Sequence, residues 1–305
     1  MRPIARSPKL SPVSDEVAVA RAAAREAGRI ALDHAARGLT AEWKGARDLV
    51  TAADRAAQAR IREVVAEAFP TDLVVDEEGE ASPGEDEIAG TRRWYVDPID
   101  GTTNYLKGRH WWGVSIAFCD TDDELAAGVV YLPALGQTYE AVRGGGAMLD
   151  GEPIRCSPVT ELAEALCCSG FPGSDSMADI SRRNIEAWRL VMARALSLRA
   201  TGAVAPDWCT VASGRADGSW TLGVGRWDIA AGIVIAREAG ATVTDLDGIA
   251  LRGPGERGVA ATPGIHADLL SLVQAALDVP EIPRDDGTGG DLPEGHRATG
   301  ERVNE

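Results

Sequence analysis

The sequence predicts a layered α/β fold, on three observations. Two long amphipathic patterns with helical spacing open the chain. A run of short β-type segments separated by turn residues follows, and the second half alternates helical and strand patterns.

In chain order, residues 1–13 are punctuated by Pro3, Pro8 and Pro12 and read as a flexible N-terminal arm. Ser14 caps the first helix with Asp15 and Glu16 in its first turn. Val17, Ala20, Ala24, Ala27 and Ala31 then recur three and four apart until Gly38. A second helix is predicted over Ala52 to Phe69, with Ala57, Ile61, Val64 and Ala68 on one face and Pro70 ending it. Strands are predicted at 73–75, 94–96, 113–118, 127–131 and 138–141, in a mostly antiparallel sheet. The glycine run 144–146 and Asp150-Gly151 read as turns near a subdomain boundary, giving an N-terminal α+β subdomain over 14–150 and a C-terminal α/β subdomain over 151–279. In the latter, helices are expected at 184–195, 227–239 and 264–276, and strands at 198–200, 218–221 and 242–245. From Pro280 to residue 305, Pro, Gly and charged residues dominate without an apolar period, so this tail is predicted to be disordered.

Composition narrows the function classes. The chain has 305 residues, is 45% hydrophobic and carries a formal charge of -16, which argues against a nucleic-acid partner, since that binding rests on Lys and Arg neutralising phosphates. No apolar run approaches the roughly 20 residues of a membrane span, and no secretory N-terminus is visible, so a soluble cytoplasmic protein is the expectation. The five cysteines lack metal or disulfide spacing and read as reduced and mostly buried.

The stretch Trp94-Tyr95-Val96-Asp97-Pro98-Ile99-Asp100-Gly101-Thr102-Thr103-Asn104 runs an apolar strand directly into two acids, a glycine and hydroxyls. Pro98 denies Asp97 a helical continuation and Gly101 permits close backbone approach, so the two acids can converge while amides stay free for an anion. Taken alone, such a turn is equally well explained by solvated acids. Asp76-Glu77-Glu78 after the strand 73–75 also reads as an exposed acidic loop, and Asp54 and Asp228 as first-turn helix charges that suit the helix dipole. Carboxylates from several chain positions would meet the demand of magnesium for hard oxygen ligands that it shares with phosphate.

With these residues the chain resembles the inositol monophosphatase family of magnesium-dependent, lithium-sensitive phosphatases. The likeness rests on Asp48-Leu49-Val50-Thr51-Ala52-Ala53-Asp54, Glu77-Glu78, Trp94 to Asn104, and Trp227-Asp228-Ile229-Ala230-Ala231-Gly232, in the family's order and approximate spacing. The resemblance implies a layered αβαβα sandwich like that of inositol monophosphatase and fructose-1,6-bisphosphatase, with the metal site in the N-terminal subdomain. It implies two to three magnesium ions held by Glu77, Asp97, the carbonyl of Ile99, Asp100 and Asp228. It also implies a phosphate on the amides of Gly101 and Thr102, and a water oriented by Thr102 and Asp54 for metal-activated attack on a small phosphate monoester. A homodimer is implied as well.

The recognition half departs from the family pattern. Thr221 stands where many members place a glutamate, and Val204 and Pro206 alter the segment after Gly202-Ala203. The candidate substrate contacts are Asp100, Gly202, Ala203, Val204, Thr221 and Asp228. A sugar, cyclitol, histidinol or nucleoside phosphate all stay open as substrate. A bisphosphatase for a sugar bisphosphate or 3'-phosphoadenylate, and a non-catalytic role in RNA or transcription complexes, are the alternatives.

Overall fold

The computed structural model describes residues 14–39, 41–45, 48–77, 90–171 and 178–278. The expected arm and tail, Glu78 and the rest of the acidic loop lie outside them.

Helix α1 (Ser14–Arg37) and helix α2 (Ala52–Ala68) flank a hairpin of β1 (Ala41–Gly45) and β2 (Asp48–Thr51), which the sequence patterns did not predict. A seven-stranded sheet follows, formed in sequence order by β3 (Leu73–Asp76), β4 (Arg93–Asp100), β5 (Gly113–Cys119), β6 (Leu125–Leu132), β7 (Gln137–Val142), β8 (Gly146–Leu149) and β9 (Glu152–Ile154). Only β3 and β4 pair in parallel, and the other neighbours are antiparallel as expected. Helix α3 (Thr102–Leu106) interrupts the passage from β4 to β5. Asp150 and Gly151, both with positive φ, form the two-residue tip between β8 and β9, the geometry that an Asp-Gly hairpin favours. The first sheet thus runs on past that turn to Ile154.

The rest of the chain builds a five-stranded sheet in the order β11-β10-β12-β14-β13. Its strands are β10 (Leu166–Cys168), β11 (Ser197–Arg199), β12 (Gly218–Thr221), β13 (Thr242–Thr244) and β14 (Gly258–Ala261). Its helices are α4 (Ala178–Met192), α5 (Val204–Ala212), α6 (Arg226–Glu238) and α7 (His266–Leu277). Helix α4 ends three residues earlier than expected, in a turn where Arg194 and Ala195 both donate to the Val191 carbonyl, and it begins six residues earlier because Ile180 continues its packed face. Helix α7 starts at His266 and not at Gly264, whose tight approach to Val159 and Thr160 places it in the preceding turn. Helix α5 escaped sequence reading because Gly202 and Pro206 look like breakers, yet Pro206 lies in its first turn, where a missing N–H costs nothing.

Strand alternation makes the layers. Trp94 and Val96 point into the core under α1 and α2, while Tyr95 between them joins the core shared with Trp208 of α5 and Ile229 of α6. In the second sheet Cys168 and Ala260 face that same middle core, and Cys167, Val259 and Ala261 face α4 and α7. The order is therefore α1/α2, first sheet, α5/α6, second sheet, α4/α7, the αβαβα sandwich expected. No helix among the described residues is long and apolar enough to cross a membrane.

Two glycines set the depth of the middle layer. A Cβ at Gly128 on β6 would stand 2.7 Å from the Ala231 carbonyl oxygen of α6, and one at Gly232 would stand 2.8 Å from the Cβ of Trp208. Gly128→Ala should lower unfolding free energy by about 1–3 kcal/mol, because the obstacle is backbone that cannot rotate away. Urea denaturation measures this, and an unchanged midpoint would refute so close a contact between β6 and α6.

Candidate active site

The acids gather where β4 loses its regular ladder. Asp97 pairs with Ser115 and Asp100 with Gly113, leaving an irregularity between them in which Pro98 offers no N–H. Asp97 Oδ1 accepts from the Ile99 amide at 2.9 Å, a local turn that holds its carboxylate. The parallel register Asp76↔Val96 brings Glu77, whose amide donates to the Val96 carbonyl at 3.3 Å, beside Asp97. Asp76 itself is buried and held by both Arg62 nitrogens, which fixes the end of β3. On the neighbouring strand, Ser115 Oγ donates to the Trp227 carbonyl at 3.1 Å and ties the first turn of α6, with Asp228, to the same place.

Three of the acids meet a helix start. Asp100 Oδ2 accepts from the Ala205 amide of α5 at 2.6 Å, and Asp228 Oδ2 accepts from Gly225 at 2.8 Å at the start of α6. In α2, Asp54 Oδ2 accepts from the Thr51 amide at 2.8 Å and from Thr51 Oγ1 at 2.5 Å, forming a capping box. These helix ends offer the partial positive charge that buried carboxylates need.

That compensation is incomplete. Burial pushes the Asp97 carboxyl well above the usual range, and the nearby charges of Glu77, Asp228 and Asp100 push it further. Asp228 is raised for the same reasons, first by burial and then by Asp100 and Glu77. Asp100 rises to about 7 through burial, although the Ala205 and Val204 amides oppose the shift. The carboxylates lean toward backbone amides, and among the described residues no three acidic, His or Cys side chains already stand at metal-holding spacing. The donor set nevertheless fits a hard divalent cation: it is all oxygen, and among the described residues of the cleft lining no cationic side chain matches the negative charge.

Gly101, which precedes α3, has φ of 93°, and a Cβ there would stand 2.9 Å from that of Ala203. Only glycine fits this conformation and this gap. Thr102 Oγ1 donates to the Ile99 carbonyl at 3.1 Å. Asn104 Nδ2 donates to the Trp111 and Thr201 carbonyls at 2.7 and 2.8 Å, clamping the acidic motif to the segment before α5.

The structure thus brings Glu77, Asp97, Ile99, Asp100 and Asp228 to one end of β4, with Gly101 and Thr102 next to them. Asp54 sits across at the start of α2, and its charge adds to burial in raising the phenol of Tyr105 of α3. A cleft of about 200 Å³ opens above, lined by the expected Asp100, Gly202, Ala203, Val204, Thr221 and Asp228. It is also lined by Gly170, Phe171, Gly223 and Val224, which sequence reasoning missed; the cue was that Gly170-Phe171 directly follows the strand 166–168. Asp207 was missed as well. It is buried in α5 and accepts from Trp111 Nε1 at 3.1 Å and Thr201 Oγ1 at 2.5 Å, and an acid within an apolar helix was the available signal. His110 is exposed.

Fold and site together define a class: a sandwich of two sheets in which the end of β4 and the start of α6 deliver carboxylates to an anionic cleft that suits a hard cation. The chain belongs to the inositol monophosphatase family, whose model matches residues 13–278. It is 38% identical over 214 residues to an inositol-1-monophosphatase of Rhizobium meliloti, covering 69% of this chain and 77% of that one. It is 36% identical over 232 residues to a protein of Pseudomonas aeruginosa named Nus factor SuhB, covering 75% and 85%. Among solved structures, the Thermotoga maritima IMPase superposes with a TM-score of 0.76 at 30% identity, over 86% of this chain and 98% of its own.

The buried Asp207 has a consequence for stability. Burial raises its carboxyl from 3.8 to about 7, against the opposing bonds from Thr201 and Trp111. Between those values the folded state keeps a proton that the unfolded chain releases, so stability falls as pH rises through this window and levels off above it. Asp207→Asn, which keeps the acceptor and removes the titration, should flatten that fall by up to a few kcal/mol, at about 1.4 kcal/mol per pH unit. Urea midpoints at low and neutral pH in metal-free buffer test this; parallel wild-type and variant curves would count against it.

Proposed function

We propose that the chain is a magnesium-dependent phosphomonoesterase acting on a small phosphate monoester. The observation that carries this reading is the set of acids gathered around the buried Asp97, whose charges push its carboxyl upward, in a family of phosphatases. Glu77, Asp97, the Ile99 carbonyl, Asp100 and Asp228 would hold two to three ions. Bound magnesium neutralises phosphate oxygens, acidifies water and stabilises the leaving alkoxide. Gly101 and Thr102 would receive the phosphate on their amides, which precede and open α3. Asp54 and the Thr102 hydroxyl would orient the attacking water, Asp54 from a position already fixed by the Thr51 cap. The pairing of oppositely placed acids with backbone amides keeps the site assembled before substrate arrives.

Other readings have less support. A bisphosphatase needs a second cationic pocket, and among the described residues lining this cleft there is no Arg or Lys. A role in a transcription complex is favoured by one observation, the name Nus factor carried by the Pseudomonas relative. A charge of -16 weighs against direct RNA binding. Phosphate release from a generic monoester, with no RNA retention at low salt, separates the two. A homodimer in the cytoplasm completes the proposal.

Asp97→Asn should lower turnover at least tenfold, since the loss of a group expected to serve two ions raises the barrier by several kcal/mol at about 1.4 kcal/mol per tenfold. The same variant should lose the rise in melting temperature that magnesium gives the wild type. Retention of more than about a tenth of activity would remove Asp97 from that role.

Thr221, buried in the cleft where many relatives place a glutamate, offers one hydroxyl and a methyl. Myo-inositol 1-phosphate should therefore be a poorer substrate than another monoester. Thr221→Glu should raise its kcat/KM relative to that better substrate, a ratio insensitive to general damage. A wild type that prefers inositol phosphate over every alternative would sink this reading of Thr221.

A further inference from the structure

The lining of the cleft also holds an aromatic ring that the phosphatase chemistry does not use. Phe171 lines the cleft and is 47% exposed, an unusual place for a phenyl group in a chain with only three phenylalanines. Its position is not casual. The ring stacks on Trp188 of α4 with centroids 5.7 Å apart and planes 27° from parallel, and Trp188 packs in turn against Trp220 of β12 at 6.1 Å. The backbone leading to it is tied on both sides. Asn184 Nδ2 donates to the Gly170 carbonyl, Ser169 Oγ donates to the Trp220 carbonyl at 2.9 Å, and Trp220 Nε1 donates to Asn184 Oδ1 at 2.7 Å. One face of Phe171 is thus occupied by a neighbour held in the core, and the ring remains half exposed at the cleft.

The residues around it share its character. Val204 and Val224 are apolar, and among the described residues of the lining Thr221 alone offers a side-chain hydroxyl. The cleft's charged side chains, Asp100 and Asp228, belong to the acidic end. A polyol leaving group brings several hydroxyls that would each need a partner, and this wall supplies few. A flat unsaturated ring needs none over its faces and gains from stacking on a ring already fixed in place.

We infer that Phe171 is a specificity-determining residue and that the natural substrate is a phosphate monoester whose leaving group carries a planar unsaturated ring. The inference rests on the phosphatase reading for the bond that is broken, while the ring contact stands on Phe171 and Trp188 alone. Phe171 touches no reacting atom. It sets which ester is retained long enough to react.

The test compares adenosine 5'-monophosphate and histidinol phosphate with myo-inositol 1-phosphate and glycerol 2-phosphate, on the full chain with magnesium. The wild type should hydrolyse at least one ring-bearing ester with a higher kcat/KM than either polyol ester. Phe171→Leu should reduce that preference roughly tenfold, the scale of one base-aromatic stack, with glycerol 2-phosphate unchanged. Phe171→Tyr should restore it. Wild-type preference for a polyol ester, or an equal loss on all four esters in Phe171→Leu, would overturn the proposal. Saturation-transfer nuclear magnetic resonance with adenosine, histidinol and myo-inositol gives a readout independent of turnover. Transfer to adenosine or histidinol that disappears in Phe171→Leu supports the ring contact even if no ester is cleaved, in which case the phosphatase reading alone fails. Equal transfer to myo-inositol, or transfer to none of the three, overturns the ring contact.

Discussion

Buried like charge is the constraint around which the molecule is organised. Asp97 and Asp100 are each almost wholly removed from water, and Asp228 stands half-buried beside them. Water would otherwise solvate them at no structural cost, whereas the interior leaves carboxylates dependent on amide dipoles and, in a phosphatase, on cations. Three helix starts, those of α2, α5 and α6, each turn an amide toward an aspartate. The amides soften the charge without cancelling it, and the raised carboxyls of all three cleft acids record the remainder. A site of this kind is a local destabilisation that the rest of the fold must outweigh.

The outweighing comes from the layers. Three apolar interfaces, under α1/α2, around α5/α6 and under α4/α7, bury aromatic and aliphatic side chains on both faces of both sheets. Trp94 shows how packing and positioning combine. Its ring lies between Phe69 and Phe118 at 5.5 and 5.1 Å, while its Nε1 donates to Asp72 at 2.9 Å, so the strand that delivers Asp97 is anchored three residues earlier. The middle layer is thin because glycine stands at positions 128 and 232. That thinness lets α6 approach β5 and β6 closely, and Ser115 reaches the Trp227 carbonyl. Apolar packing therefore fixes the distance between acids that would otherwise move apart.

The two ends of the cleft differ in how they are built. The acidic end is made of strand termini and helix starts, whose geometry the backbone enforces. The rest of the lining includes side chains, Phe171, Val204, Thr221 and Val224, that can change without disturbing the ladder or the caps. Such a division lets one scaffold keep its bond-breaking end while its substrate changes.

What the sequence determined by itself is local. Apolar spacing in α1 and α2, the alternation in β4 to β7 and the strand-to-acid motif at 94–104 are written in consecutive residues, and the structure places them within a few positions of the patterns. Asp97, Asp100, Asp54 and Asp228 were legible as candidates because each sits in its own motif, although each alone also read as a solvated turn or a helix charge. Tertiary structure decided between those readings by bringing Glu77 alongside Asp97 through the parallel β3–β4 register and Asp228 through the contact of Ser115 with Trp227. It also decided what no local pattern carries: that Pro206 opens a helix, that Asp207 is buried, and that Phe171 rests on Trp188 above the cleft. These depend on residues tens of positions apart meeting in space, and periodicity along the chain is blind to them because burial and charge repulsion act through space.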